Sequence, residues 1–418
     1  MTTPVNLFVI GAGGRGTGYA RYALQHPDHV RIVGVAEPRD FYRNQLAREH
    51  QLAPHQVFRS WDEVAALPRQ ADAVLIATLD DMHAAPAVAF AKLGYHILLE
   101  KPMAPTEAEC QRIVAAVKQA GVLFAVCHVL RYTPYTRQLK ALLDSGAIGD
   151  IVSLQHLEPV GYWHQAHSFV RGKWGREATS TFMLMAKSCH DLDWIRYIMG
   201  RPCQRVSSFG HLTHLCPEGR PAGAADRCLD CAVEATCPYS AKKIYLGRLR
   251  RGDTGWPVDV VTPQPTEATL TEALRTGPYG RCAYACDNDV VDHQVVNLEF
   301  AQGRTAAFTM TAFTQAGHRI TRLFGTRGEA YCDGHQLRHF DFLTDTWHEH
   351  PLPEIDGSIQ GGHGGGDYFL MQSFVAAVRT GDAARILSGP EESLESHRMV
   401  FAAEAARVTG QVRPVAPA

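Results

Sequence analysis

The chain has 418 residues, of which 45% are apolar and 20% are charged, and its formal net charge is -2. At about 150 residues per domain this length predicts two or three domains, and the ordinary apolar content excludes a disordered chain. The 41 basic and 43 acidic residues leave no net field to favour nucleic acid or an anionic membrane as a partner. No apolar run in the sequence approaches the roughly 18 residues that span a bilayer.

The first apolar run, Val5–Ile10, leads directly into glycines and has no basic segment before it. This favours a strand over a signal peptide. Eleven cysteines are scattered along the chain, and without an export signal such usage is typical of reduced thiols. We therefore expect a cytoplasmic protein.

Short apolar runs alternate with helical patterns over the first 130 residues. Apolar strands separated by helices predict a parallel sheet covered on both faces. A capping box, Thr106 followed by Glu109, marks the start of one helix. The predicted strands are Val5–Ile10, Val30–Ala36, Asp72–Thr78, His96–Glu100 and Leu123–Val126, and the predicted helices include Met82–Leu93 and Thr106–Gln119.

After about residue 130 alternating apolar and polar residues indicate half-buried strands. In one of them Val296, Leu298 and Phe300 share a face. The predicted elements here are a helix at Tyr135–Asp144, strands at Val291–Phe300 and Thr305–Phe313, and helices near Asp367–Thr380 and Glu391–Thr409. The last residues, Val412–Ala418, contain two prolines and are expected to trail on the surface.

The sequence therefore predicts a first domain over residues 1–130 and a second over residues 131–418. The stretch from 201 to about 285 is rich in Cys, Pro, Gly and Arg and shows little periodicity. We interpret it as an insertion in the second domain.

A G-x-G-x-x-G pattern follows the first predicted strand and opens a helix. Its glycines permit a tight turn and close approach of a pyrophosphate to the helix N-terminus. Glu37 ends the second predicted strand, where a carboxylate binds both ribose hydroxyls and repels a 2′-phosphate. This favours NAD over NADP, although Arg39 can accept that phosphate; the plainer interpretation is a glycine-rich turn with a surface glutamate. The predicted cofactor loop comprises Gly11, Ala12, Gly13, Gly14, Arg15 and Gly16.

Several motifs of the first 150 residues occur together in one known family. They are the Gly11–Gly16 loop, Ala77-Thr78 with His83, the run from Gly94 to Glu100-Lys101-Pro102, Arg131 with Pro134, and Gly146-Ala147-Ile148-Gly149. On these residues the chain resembles the Gfo/Idh/MocA oxidoreductases, named for glucose–fructose oxidoreductase and inositol dehydrogenase.

The resemblance implies a Rossmann domain followed by an α/β domain with an open, mostly antiparallel sheet. It also implies a nicotinamide cofactor, a carbohydrate-like substrate and a homo-oligomer that pairs through the exposed face of the second sheet. Beside the cofactor it places Thr78, His83, Glu100 and Lys101.

The resemblance assigns catalytic roles to Lys101 and His190. An ammonium such as that of Lys101 stabilises charge developing on an alcohol oxygen as hydride leaves, whereas its alternative role is a solvated lysine at a strand end. His190 takes the place of the family's general acid or base, with a core or helix-capping histidine as the alternative. The family's aspartate falls on Ala186, which makes Lys187 a candidate replacement or else a surface charge.

The segment Gly161–Trp174 is too polar and too aromatic for an ordinary strand. We predict a substrate-binding loop, because aromatic faces stack on sugars while His and Arg bind hydroxyls or an acidic group. An oligomer contact or a structural loop is the alternative, and its basic residues are a weak indication of an acidic sugar. The predicted contacts in this segment are Tyr162, His164, His167 and Arg171. Asp287 and His293 at the mouth of a strand, and His363 in a glycine-rich loop, are further predicted contacts. Asp367 follows that loop, and its plainer role is a helix N-cap.

Four cysteines cluster in the predicted insertion, at Cys216, Cys228, Cys231 and Cys237. Four thiolates, two of them in a C-x-x-C pair, suit a structural zinc ion. The alternatives are a redox pair and four reduced cysteines that pack a loop. Cys282 and Cys286 are a spare pair that could join or compete.

The sequence thus leads to three functional hypotheses. The first is an NAD-dependent carbohydrate oxidoreductase that moves a hydride between a ring carbon and nicotinamide. The second is an NAD-dependent glycoside hydrolase that uses transient oxidation, elimination, hydration and re-reduction. The third is a non-catalytic NAD-binding redox sensor.

Overall fold

A computed structural model describes residues 3–352 and 363–416, and these form two sheets. The first sheet has six parallel strands in the order β3-β2-β1-β4-β5-β6. This is the doubly wound order of a dinucleotide-binding fold, and the β1–β4 junction is its switch point. The strands are β1 (Val5–Ile10), β2 (Val30–Ala36), β3 (Val57–Phe58), β4 (Ala73–Ile76), β5 (His96–Leu99) and β6 (Phe124–Val126). Its helices are α1 (Gly14–Gln25), α2 (Asp40–Glu49), α3 (Trp61–Ala65), α4 (Ala84–Lys92) and α5 (Glu107–Ala120).

The second sheet has nine strands in the order β14-β13-β12-β11-β7-β10-β9-β8-β15, and its neighbours are antiparallel except for β7 with β10. Its strands are β7 (Ile151–Pro159), β8 (Cys203–His211), β9 (His293–Phe300), β10 (Arg304–Thr311), β11 (Ile320–Gly325), β12 (Gly328–Cys332), β13 (Leu337–Asp341), β14 (Thr346–His350) and β15 (Arg413–Pro414). The helices of this half are α6 (Pro134–Asp144), α7 (Tyr162–His164), α8 (Met183–Met199), α9 (Gly247–Arg250), α10 (Val258–Val261), α11 (Glu267–Thr276), α12 (Gly366–Thr380) and α13 (Pro390–Thr409).

The predicted fold class is confirmed: a Rossmann domain precedes an α/β domain with a mostly antiparallel sheet. In β9 the predicted face is buried, with Val296, Leu298 and Phe300 at most 2% exposed. Among the described residues, none of the helices has the length and apolar character needed to cross a membrane.

Two sequence predictions are wrong in detail. The predicted insertion overlaps β8, which is a full member of the sheet, so the segment outside the sheet begins at 212. The predicted surface tail is held in place over residues 413–415, because β15 pairs with β8 and Val415 is buried. Residues 417–418 lie outside the described part of the chain.

The last two helices link the halves of the molecule. Helix α12 contacts α1, and its Leu370 and Phe374 belong to the same buried cluster as Val9 of β1. Helix α13 contacts both α5 and α8. The helix that carries His190 is therefore held against the sheet that ends at Lys101.

Candidate functional site

The glycine loop sits at the carboxyl end of β1, before the N-terminus of α1. A Cβ on Gly11 would lie 2.5 Å from the carbonyl oxygen of Ala77, and one on Gly16 would lie 2.0 Å from the oxygen of Gly11. At Gly14, by contrast, a Cβ would meet nothing within 4 Å. The N-cap of α1, Gly13, provides no side-chain cap. The first amides of the helix therefore have no side-chain cap, and the space beside Gly14 is open, as a pyrophosphate site requires.

Glu37 stands at the rim of this loop and is 2% exposed. One carboxylate oxygen accepts a 2.9 Å hydrogen bond from the amide of Ala12, and the other accepts a 2.7 Å bond from Nε of Arg39. Burial alone would raise the pKa of Glu37, but the bonds from Arg39 more than offset it and lower the pKa. Glu37 is an anion beside the loop, not a surface glutamate.

Arg15 joins the loop to the strand end that carries Lys101. Its Nε lies 2.6 Å from Glu100, and its Nη2 lies 2.5 Å from Asp367. Burial would raise the pKa values of both carboxyl groups, yet Arg15 keeps both below their ordinary range. Asp367 does not cap its helix, because the N-cap of α12 is Gly365.

Lys101 follows β5 and reaches across to α8. Its Nζ donates a 2.6 Å hydrogen bond to the carbonyl oxygen of Ala186. His190 is one helical turn further along α8 and is 3% exposed. Since residues four apart share a helix face, the ammonium and the imidazole belong to one site.

His190 is held as a neutral base. Burial, followed by the charge of Lys101, holds its pKa well below the ordinary value. Its Nδ1 is buried and has no hydrogen-bond partner among the described residues. The ring of His363 lies 5.7 Å away, and Nδ1 of that residue is 3.2 Å from Asp367. His190 thus keeps one ring nitrogen that no hydrogen bond from the described residues occupies.

Lys187 is not a surface charge. Its Nζ lies 3.0 Å from Glu158, which also pairs with Arg319 at 2.6 Å. Arg319 in turn lies 2.8 Å from Asp191, the neighbour of His190. Burial lowers the pKa of Lys187 despite Glu158. A buried ion network therefore packs against the helix that carries His190.

Residues 5–128 match the family described as "Oxidoreductase family, NAD-binding Rossmann fold", and residues 140–416 match "Oxidoreductase family, C-terminal alpha/beta domain". The chain belongs to the Gfo/Idh/MocA family. Residues 5–128 are accordingly an NAD-binding Rossmann domain.

Relatives of this Gfo/Idh/MocA protein cover it to different extents. YteT of Bacillus subtilis is 25% identical over 87% of this chain and 86% of its own length. The 2,7-anhydro-N-acetylneuraminate hydratase of Escherichia coli is 27% identical over 51% of this chain, which matches 55% of that enzyme. The structure of levoglucosan dehydrogenase with NADH and L-sorbose aligns over 100% of both chains, with a TM-score of 0.72 and 18% identity, and this likeness shows the fold.

Thr78 and His83, two of the predicted cofactor contacts, differ from each other in where they lie. Thr78 follows β4 at the rim of the loop. His83 is fully buried, with Nδ1 2.8 Å from the oxygen of Pro102 and Nε2 3.4 Å from the oxygen of Thr78. His83 therefore supports the backbone behind the loop and presents no free nitrogen to a cofactor.

The predicted substrate loop is largely helical, since α7 continues into a π-helix over Gln165–Arg171. Tyr162 is 40% exposed, and His164 lies near enough to Lys187 that this charge, after burial, lowers its pKa. His167 and Arg171 are instead buried. Nδ1 of His167 lies 2.9 Å from the hydroxyl of Tyr245, and Nη2 of Arg171 donates a 2.8 Å hydrogen bond to the backbone carbonyl oxygen of Tyr239. The polar groups of both residues serve the inserted segment in this structure, and their role as substrate contacts stays a prediction.

Three other predicted contacts fall in different places. Asp287 is exposed and pairs with Arg281 at 2.6 Å. His293 lines a groove with Thr213 and Phe313 that includes none of the catalytic candidates. His363 does lie beside His190, as described above, whereas the glycines at 361 and 362 of its loop are outside the described residues.

The cysteines of the predicted zinc site are all free thiols. Cys228, Cys231 and Cys237 line one small cavity, whereas Cys216 does not line it and Cys282 does. Among the residues the structure describes, no three Cys, His, Asp or Glu side chains have the arrangement of a ready-made ion site.

Sequence reasoning missed Glu158, Arg319 and the pairing role of Asp367. Glu158 ends a strand of ordinary appearance, and Arg319 stands in a polar stretch without a motif. A conspicuous signal was present only for Asp367, which follows a run of glycines.

Proposed function

We propose that this protein is an NAD-dependent oxidoreductase that acts on a secondary hydroxyl of a carbohydrate-like substrate. The observation that carries the proposal is the pair formed by Lys101 and His190. The 2.6 Å bond from Lys101 to Ala186 places the ammonium within one turn of a buried, neutral imidazole. This pair lies past the carboxyl end of β5, the edge at which open parallel sheets bind ligands.

The chain's residues supply the acid–base half of such a reaction. Bound NAD would accept the hydride. His190, neutral and with an unpartnered nitrogen, takes the hydroxyl proton. Lys101 stabilises the negative charge that develops on the same oxygen. His363, which pairs with Asp367 at 3.2 Å, lies beside this imidazole, with 5.7 Å between the two ring centres.

We infer NAD rather than NADP as the preferred cofactor. Glu37 is buried and anionic at the end of β2, and a 2′-phosphate there would meet its charge. Arg39 is engaged by that carboxylate at 2.7 Å, so it is neutralised as a phosphate receptor.

A second candidate is elimination and hydration, or glycoside cleavage, through transient oxidation with no net change in NAD. The hydratase relative, which this chain matches over about half its length, favours this scheme. The surplus of acid–base groups around Lys101 also supports it, since His164 and Lys187 accompany His190 and His363.

The test is a panel of free sugars, anhydrosugars and aryl glycosides given to the purified protein with NAD. Reduced-nicotinamide absorbance, aglycone release and product mass are recorded together. Stoichiometric NAD reduction supports the dehydrogenase. Product formation with NAD unchanged overturns it in favour of the second candidate. Activity retained by a Lys101→Ala, His190→Ala double variant overturns the catalytic assignments, whereas NAD binding with no turnover of any substrate favours the redox sensor.

A further inference from the structure

A small cavity lies in the segment between β8 and β9, away from the proposed reaction. Its volume is about 20 Å³, which exceeds the roughly 10–15 Å³ that holds one water molecule. Four cysteines from two separate stretches line it, namely Cys228, Cys231, Cys237 and Cys282. Their four sulfur atoms are free thiols.

A buried cation borders the same cavity. Arg171 is 4% exposed, and its Nη2 lies 3.5 Å from the sulfur of Cys228. Nη1 of this guanidinium has no hydrogen-bond partner, and no ion pair joins it to a carboxylate of the described residues. A buried charge without a counter-charge is costly. The surroundings of Arg171 therefore call for an anion.

We propose that this cavity is a metal–thiolate site in which Cys228, Cys231, Cys237 and Cys282 bind a soft metal centre. Thiolates select zinc and iron–sulfur units. Four thiolates around a zinc ion, or around an iron–sulfur cluster, carry a net negative charge. That charge is the missing counter-charge of Arg171.

The spacing of the cysteines agrees with this assignment. Cys228, Cys231 and Cys237 form C-x2-C-x5-C followed by proline, and a proline directly after a ligand cysteine also occurs in iron–sulfur motifs. The thiols surround the void and do not stand in a ready-made ion geometry. Metal binding thus either draws the four sulfur atoms inward onto one zinc ion, which the void of about 20 Å³ can hold, or moves the cysteine loops apart around a larger iron–sulfur unit.

The site would stabilise the inserted segment and the π-helix over Gln165–Arg171. Cys228 and Cys282 belong to a buried cluster with Ala166 and Val170 of the π-helix that follows His164. A metal centre at this point would hold the π-helix in place, because the inserted segment around it lies outside the sheet.

The experiment begins with the full-length wild-type protein, purified without oxygen and without a histidine tag from cells grown with iron and zinc. Zinc, iron and acid-labile sulfide are measured per chain, with the visible absorbance spectrum. About one zinc per chain identifies the ion, whereas iron and sulfide in equal amounts with a visible charge-transfer band identify the cluster. Either result supports the site, and less than about a tenth of a centre per chain overturns it.

Variants then locate the ligands. We expect Cys282→Ser and Cys228→Ser to lower metal content by about tenfold or more, whereas the matched control Cys216→Ser keeps it. Equal metal content in Cys282→Ser and wild type, or its loss in Cys216→Ser, overturns the assignment.

If the cavity variants do not fold, alkylation of the wild-type protein decides the question. The four cavity thiols should resist a thiol reagent until a chelator removes the metal, as read by peptide mass. Equal labelling with and without chelator overturns the proposal.

Discussion

The ammonium of Lys101 and the carbonyl oxygen of Ala186 are joined by a 2.6 Å hydrogen bond. This bond connects the end of the first sheet to the helix that carries His190. It sets the distance between the group that stabilises the oxygen and the group that takes the proton. The two domains therefore meet at the proposed point of chemistry.

Replacing Lys101 with methionine removes the ammonium while retaining the length of the side chain. We expect turnover to fall by about 100-fold or more, because the developing alkoxide loses its cation. NAD affinity should fall far less than turnover, since the loop and Glu37 are untouched. Steady-state kinetics and NAD titration check both points. Lys92→Met, at the exposed end of α4, is the matched control, and an equal loss in that variant contradicts the assignment.

Replacing Glu37 with serine should change cofactor preference. NAD affinity is expected to fall about tenfold or more, since the ribose loses its buried carboxylate. Arg39, released from its ion pair, becomes available to a 2′-phosphate, so NADP affinity should rise. Titration of both cofactors measures the ratio. An Arg39→Ala change on the Glu37→Ser background should abolish the gain; a gain that persists assigns it to another residue.

Replacing Asp367 with asparagine leaves Arg15 without one of its two carboxylates. Breaking a fully buried ion pair on one side costs about 3 to 5 kcal/mol. Because Arg15 is 38% exposed and keeps its pair with Glu100, we expect the free energy of unfolding to fall by less than that. His363 loses its partner as well, so the pH dependence of turnover should also change. Asp382→Asn, at an exposed pair with Arg385, is the control and should have a much smaller effect. Denaturant unfolding compares the three proteins.

Mild acid should destabilise the protein through buried histidines. Burial lowers the pKa of His128 and of His167 to about 3 and that of His397 to about 4. The unfolded chain binds these protons near pH 6.5 and the folded chain does not, so stability is full above that pH and falls below it. Each histidine contributes about 1.4 kcal/mol per pH unit.

Thermal or urea unfolding from about pH 7 to about pH 5 checks this slope. His128→Leu should reduce the number of protons taken up on unfolding by one, because this imidazole is neutral in the folded chain and protonated in the unfolded one. A wild-type stability that stays constant over this range contradicts the expectation.

The first sheet could be predicted well because its strands are continuous apolar runs. Val5–Ile10 and Val30–Ala36 coincide with β1 and β2. The glycine loop followed from the same pattern, since close backbone approach at Gly11 and Gly16 excludes any other residue. These features depend on residues that are neighbours in sequence.

The second sheet and parts of the site could not be predicted, since they depend on distant partners. β8 begins in a stretch dominated by polar residues, and its place in the sheet comes from pairing with β9. His167 and Arg171 were assigned to substrate on polarity alone. Tyr245 and Tyr239, their partners, are 78 and 68 residues further along the chain, and no local pattern records them.

The position of α12 has a consequence for synthesis of the protein. Leu370, Met371 and Phe374 complete a buried cluster with residues of β1 and α1, which leave the ribosome more than three hundred residues earlier. Until α12 emerges, the nascent nucleotide domain has one uncovered apolar face. We expect this half to need protection by chaperones during translation and to be insoluble when expressed alone as residues 1–130.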